Sequence, residues 1–264
     1  MFYISTDLEG MSGLWHSPTI PDDEIMCAHM TAAAEGLRAG GAKRVLLTSM
    51  HGIPPGLPAF VEALREHRET PGWADLPAFS RDCRGLLLLG FHGVWTPQAY
   101  GHSYKYPNLW LNGRKCGEIT IQFMLAADLG VPAVMLAGNA AAVAEAREVV
   151  PDILTVTTRP GLAGDEGPLE PNVLGEISRM AAAAVRRPAR PPAVPEHLLL
   201  EVPFRAALPA EIAQRLPYPV TRKDNVVGRA ADNFADIYRF LLDTFECVYE
   251  ARRIERQRGG QPQY

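Results

Sequence analysis

Met1-Phe2-Tyr3-Ile4-Ser5-Thr6-Asp7-Leu8-Glu9-Gly10 opens the chain, and its reading decides the fold. Residues 1–6 have the apolar, β-rich character of a strand buried on both faces. The run stops at two carboxylates spaced i, i+2, followed by a glycine. In open α/β sheets the ligand crevice lies at the carboxyl ends of the strands. Two hard oxygen donors there suit a divalent cation. Taken alone, the same residues read more readily as satisfying backbone groups in a turn, where Asp is common.

Two further runs end in the same manner. Val45–Met50 stops at His51-Gly52 (VLLTSMHG), and Leu86–Phe91 stops at His92-Gly93 (LLLLGFHG). A single His after a strand is an ordinary structural residue. Parallel strands, however, bring all three ends to one edge, so Asp7, Glu9, His51 and His92 form a candidate cluster.

The rest of the chain alternates helix and strand. A helix is expected from Asp22-Asp23-Glu24, acidic at its start as the helix dipole favours, to a stop at Gly40-Gly41. Another is expected over 57–67, with Phe60, Val61 and Leu64 on one face. Residues 95–113 read as a loop rich in aromatics, Gly and Pro. Helices are expected over 118–129, 140–149 and 173–186, and a buried strand over 131–137. Residues 187–195 (RPARPPAVP) fit neither regular helix nor central strand and read as a linker. A strand at 197–204 follows, then an amphipathic helix at 232–256 capped by Asp232 or Asn233. Residues 258–264 read as a disordered tail.

The expected class is therefore α/β: a mainly parallel central sheet with helices on both faces, plus a smaller C-terminal α+β portion. The expected division is a metal-binding catalytic domain (1–186), the linker (187–195) and a C-terminal subdomain with the long helix (196–264).

With 264 residues, 47 % of them hydrophobic, the chain can bury a substantial core. A net charge of −4 without a basic block argues against nucleic-acid binding. No charged leader precedes the first strand and no apolar run reaches membrane-span length, so neither a secretory signal nor a membrane partner is expected. Cys27, Cys83, Cys116 and Cys247 lack CxxC spacing, and the reading is of reduced thiols in a cytoplasmic protein.

Two more residues complete the candidate site. Glu118 opens a helix directly after Gly117; it either points its carboxylate at the same edge or is an ordinary first-turn acid. His102, between Gly101 and Ser103, is either a mobile acid or base or a solvent-exposed loop residue. His16, His29, His67 and His197 fall outside the pattern. Asp7, Glu9, His51, His92 and Glu118 make five mixed N and O donors. If Asp7 bridges, one metal has Asp7, Glu9 and His51, and the other has Asp7, His92 and Glu118. Each then keeps an open position, as catalytic zinc does. Paired ions of this kind hydrolyse substrates through a shared water.

These motifs resemble the D-aminopeptidases of the DppA type, dinuclear zinc peptidases. STDLEGMSGL resembles the family's first motif, with Asp7 and Glu9 at its ligand positions. His51 and the GFHG around His92 match its two histidine ligands. GHS puts His102 on its catalytic histidine, and CGE matches the last metal carboxylate, Glu118. The likeness is clear over residues 1–150. It implies two Zn2+ per subunit, an amide or peptide substrate beside a free amine, and a homo-oligomer, a decamer of stacked pentameric rings enclosing a chamber. Departures surround the metal set. Ser49-Met50 stands where the family usually has Asp-Ser, Ile119–Phe123 where it has a small run with Gly and Asn, and Gly138-Asn139-Ala140 where it tends to Gly-Asp-Asp. The resemblance thus implies the chemistry more directly than the substrate. An amide hydrolase for a non-peptide biosynthetic intermediate, and a non-catalytic metal-binding assembly protein, are the rival readings. A two-metal phosphoesterase lacks an evident phosphate cradle.

Overall fold

The computed structural model describes residues 1–13, 22–64, 79–96, 101–104, 106–160, 168–170 and 172–259. In chain order the elements are β1 (Phe2–Thr6), α1 (Asp22–Ala39), β2 (Val45–Ser49), β3 (Val61–Leu64), β4 (Leu86–Phe91), β5 (Leu109–Leu111), β6 (Arg114–Cys116) and α2 (Glu118–Asp128). They continue with β7 (Ala133–Gly138), α3 (Ala140–Val149), β8 (Leu154–Thr157), α4 (Val173–Arg186), β9 (Leu198–Pro203), α5 (Ala207–Ala213), β10 (Thr221–Lys223), β11 (Val226–Ala231) and α6 (Phe234–Gln257).

The apolar runs form the centre of a six-stranded sheet in the order β3-β2-β1-β4-β7-β8. Every pairing in it is parallel. β1, β2, β4 and β7 are buried along their whole length, which is why they read as continuous apolar stretches. Helices cover both faces. Residues of α1 and α4 pack on Phe2, Ile4, Val45 and Leu47; residues of α2 and α3 pack on Tyr3, Leu46, Leu86 and Leu88. The chain leaves β1 toward β2 and β3, then returns to β4 on the other side. The β1/β4 boundary is thus the topological switch point, where such sheets open a crevice at their carboxyl ends.

A second, antiparallel sheet runs β10-β11-β9-β5-β6. Its core joins Leu109 and Leu111 with Leu200, Val202 and the inward stripe of α6, including Phe234, Ile237, Leu241, Phe245 and Val248. Asn233 caps α6, accepting a hydrogen bond from the Asp236 amide. Residues 188–197 carry no helix or strand.

Two expectations are corrected. The helix expected at 57–67 is absent over its described part: Val61–Leu64 is the edge strand β3, paired with Val45–Thr48. The free edge of β2 offers ladder partners, and the prolines at 54, 55 and 58 crowd a helix start. Residues 65–67 lie outside the described residues. The loop expected at 95–113 contains β5, whose three residues form a hairpin with β6 and two of which, Trp110 and Leu111, pair with β9. Residues 97–100 and 105 of it, and 260–264 of the expected tail, also lie outside the described residues. β8, α5, β10 and β11 were not anticipated. Among the described residues no helix is long and apolar enough to cross a membrane.

One feature of β4 prepares the site. Its register with β7 shifts between Leu89 and Phe91. Gly90 sits there at φ +75°, and a Cβ on it would lie 2.3 Å from the Asp7 carbonyl oxygen. Glycine lets the ends of β1 and β4 come this close.

His29, on the buried face of α1, gives a stability prediction. Its Nδ1 faces the Ile25 carbonyl at 2.9 Å, so Nδ1 donates. Burial depresses the imidazole from 6.5 to about 4. Between these values the unfolded chain binds a proton that the folded chain refuses, so stability falls as pH drops from 6.5 to 4. The full difference is about 3 kcal/mol. Urea unfolding of the wild type and His29→Gln from pH 7 to 4 should show the steeper loss in the wild type. Parallel curves would refute the assignment.

Candidate metal centre

The carboxyl ends of β1, β2 and β4 and the start of α2 deliver the predicted residues to one place. Asp7 lies one residue beyond β1, His51 two beyond β2, His92 one beyond β4, and Glu118 is the first residue of α2. Asp7, Glu9, His92 and Glu118 are buried. The side chains of His51 and His102 are 31 % and 35 % exposed, so they line the open side.

His51 Nε2 lies 3.1 Å from Asp7 Oδ1 and 3.3 Å from Glu9 Oε2. His92 Nε2 lies 3.5 Å from Asp7 Oδ2. Two donors 2.0–2.1 Å from one tetrahedral ion stand roughly 3.3 Å apart, the spacing found here. The two oxygens of Asp7 face different histidines, as a bridging carboxylate requires. His102 Nδ1 is 3.3 Å from Glu118 Oε1, and its Nε2 is 3.7 Å from Glu9 Oε1. The six residues therefore gather as Asp7–Glu9–His51 and His92–His102–Glu118. His102, expected outside the ligand set, stands within ligand range of it.

The tautomer of His92 bears on the fit of a cation. Its Nδ1 is 2.8 Å from the Gly93 carbonyl oxygen, which can only accept, so Nδ1 carries the proton. In the neutral ring Nε2 then presents a lone pair toward Asp7 Oδ2. Ligating histidines are commonly oriented by this backbone hydrogen bond. Asp7 Oδ2 and Glu118 Oε2 are buried and, among the described residues, accept no hydrogen bond. Lone pairs converging in a buried site call for a positive charge between them, and this mixed N and O set suits zinc.

Electrostatics point the same way. Burial pushes the Asp7 carboxyl up to about 7, against the pull of His51 and with Glu9 adding to the rise. Hydrogen bonds with Asp7 and Glu9 raise His51 to about 10. Burial opposes charge on His102, yet Glu118 and Glu9 outweigh it and raise that ring to about 10. Burial also opposes charge on Glu9, but hydrogen bonds from His102 and His51 hold it far below the carboxylate range. The raised Asp7, His51 and His102 each favour added positive charge among the carboxylates, a demand that a divalent cation meets.

The supports differ around the cluster. The Ser49 hydroxyl accepts from the His51 amide at 3.1 Å. Thr158 Oγ1 donates to the Gly10 carbonyl and Arg159 Nη2 to the Glu9 carbonyl, so the end of β8 holds the loop after β1. The Tyr104 amide donates to Glu118 Oε1 at 2.6 Å. Tyr104 sits at φ +57°, a conformation that aromatic residues seldom adopt. Ser103 anchors the loop through Oγ to the Cys116 carbonyl, 3.0 Å away. Asn139 Oδ1 accepts from the Gly93 amide at 3.3 Å. Glu145 accepts from Gly117 and Thr120. The sequence reading missed Thr158, Arg159 and Glu145. Only Glu145 left a signal, an acid on the inward side of an Ala-rich helix.

Comparison with known proteins agrees with the motifs. The D-aminopeptidase family profile matches residues 1–242. The D-aminopeptidase of Bacillus subtilis (strain 168) is 29 % identical over 180 residues, 60 % of this chain and 62 % of that protein's length. The fold resembles the Zn-dependent D-aminopeptidase DppA from Bacillus subtilis, described as a self-compartmentalizing protease. The TM-score is 0.77 at 21 % identity, over 93 % of this chain and 97 % of the other.

Proposed function

The chain belongs to the D-aminopeptidase family, and on that premise we propose that it is a zinc-dependent hydrolase cleaving an amide or peptide bond beside a free amine. The observation that carries the reading is the two-sided use of Asp7, Oδ1 toward His51 and Oδ2 toward His92. Asp7, Glu9 and His51 would hold one zinc, and Asp7, His92 and Glu118 the other. When bound, such a pair polarises a scissile carbonyl and lowers the pKa of a water.

The chain's own groups supply the rest. His92, fixed through Nδ1, keeps its lone pair on the inward side. His102 lies on the open side between Glu9 and Glu118, and we assign it the proton that the leaving amine needs, or a hydrogen bond to the developing oxyanion. Trp95 and Trp110 would shape the pocket.

DppA is described as self-compartmentalizing, and we extend this to a homo-oligomer here, a decamer of stacked pentameric rings. Light scattering should then return the mass of ten 28.9 kDa subunits; a monomer mass would refute it. A cytoplasmic location, and the division at the linker 187–195, belong to the same proposal.

The activity is tested with D- and L-aminoacyl p-nitroanilides before and after chelation, and again after zinc is restored. Turnover that vanishes on chelation and returns with zinc is expected. A fully zinc-loaded protein inert toward the whole panel would refute the peptidase assignment.

A further inference from the structure

Helix α3 touches the backbone beside two ligands of the second metal set. At its start, Asn139 Oδ1 accepts from the amide of Gly93, the residue after His92, while also capping α3 through the Ala142 amide. Two turns on, Glu145 Oε1 accepts from the amide of Gly117, the residue before Glu118, at 2.9 Å. The same oxygen accepts from the Thr120 amide at 3.2 Å and from Thr120 Oγ1 at 2.8 Å. A helix start leaves amides without intrahelical partners. At the start of α2 Gly117 has no side chain to offer, and Glu145 supplies the acceptor from another helix. The fit is close: a Cβ on Gly117 would lie 2.8 Å from Glu145 Oε2.

Building on the two-metal reading above, we propose that α3 is the brace of the second metal set and that Glu145 is a positioning residue for Glu118. The first set has a different scaffold. His51 is held by Ser49, and the Asp7–Gly10 loop by Thr158 and Arg159. Among the described residues, the hydrogen bonds of Glu145 all come from Gly117 and Thr120. Glu145 bonds no ligand side chain; it fixes where α2 begins, and so where the Glu118 carboxylate stands. Asn139 does the corresponding work for the turn carrying His92. The two metals should therefore be separable by substitutions remote from both.

The test is a zinc titration of metal-stripped protein against a chromophoric chelator, with metal content measured alongside. The wild type should take two zinc ions. Glu145→Ala should weaken one of them ~10–100-fold, the cost of removing an outer partner of a ligand, and leave the other unchanged. The retained zinc reports that the fold is intact. Glu145→Gln keeps an acceptor oxygen at the same place and should retain both ions near wild-type affinity. Loss of both ions from a Glu145→Ala protein that stays folded by circular dichroism, or of neither, overturns the proposal. So does a Glu145→Gln protein that behaves like Glu145→Ala, since the acceptor would then not be the agent. Should Glu145→Ala fail to fold, Thr120→Val carries the test. It deletes one of three donors and should weaken the same ion by a smaller factor; no change would overturn the proposal. A wild type that takes a single zinc refutes the two-metal reading and this proposal together. Two zinc ions in the wild type with unchanged affinities in the variants refute this proposal alone.

Discussion

If Asp7 is shared by two zinc ions as proposed, Asp7→Asn should lose both and, with them, activity. The side chain is buried, with Oδ1 3.1 Å from His51 Nε2 and Oδ2 3.5 Å from His92 Nε2. Asparagine keeps the shape but exchanges one oxygen for an NH2 that donates and cannot ligate a cation. The other oxygen loses its share of the negative charge. Whichever way the amide turns, one metal faces the wrong group and the other a weaker one. Each affinity should fall by more than the ~10–100-fold that losing even an outer partner costs. Metal content by elemental analysis and turnover of an aminoacyl p-nitroanilide should drop together. One metal retained at wild-type affinity would show that Asp7 is not shared, and the second ion would then belong to His92, His102 and Glu118.

His102→Ala should separate chemistry from metal binding. His102 lies 3.3 Å from Glu118 and 3.7 Å from Glu9, on the more open side of the cluster. If its task is to move a proton, the variant keeps two zinc ions and loses ~10²–10⁴-fold in kcat. Because binding of the amide does not depend on that proton, KM should move far less. Loss of one zinc would instead make His102 the third donor of the second set. Full activity would leave it no part in the reaction.

The buried strands were legible because a parallel strand covered on both faces must be apolar throughout, and β1, β2 and β4 each ran into a residue that could ligate. This carried Asp7, Glu9, His51 and His92 to one edge without any view of tertiary structure. α3 and α4 were bounded correctly, since each carries its own periodicity. β3 was not legible: four half-exposed residues follow a β2 edge that the local pattern cannot reveal. β5 hid in an aromatic loop because it is only three residues long and one of its two partners, β9, comes some ninety residues later (Trp110 pairs with Glu201). Glu145 reads locally as one acid among alanines, and its partner Thr120 lies 25 residues upstream.

The position of β1 has a consequence for how the protein is made. Its first residues pair with Val45–Ser49 on one side and with Leu86–Leu89 on the other. During synthesis the strand carrying Asp7 and Glu9 can dock on β2 early, yet its other edge stays open until β4 has left the ribosome. An open apolar edge is a template for pairing with another chain, and distant partners make closure slow. The nascent subunit therefore passes through a vulnerable interval of about forty residues of translation, at ~5–20 residues per second. His92 and Glu118 emerge only after it. The proposed metal site is thus complete only after that interval, and slowing translation between residues 50 and 90 should raise aggregation of newly made chains more than slowing it after residue 120.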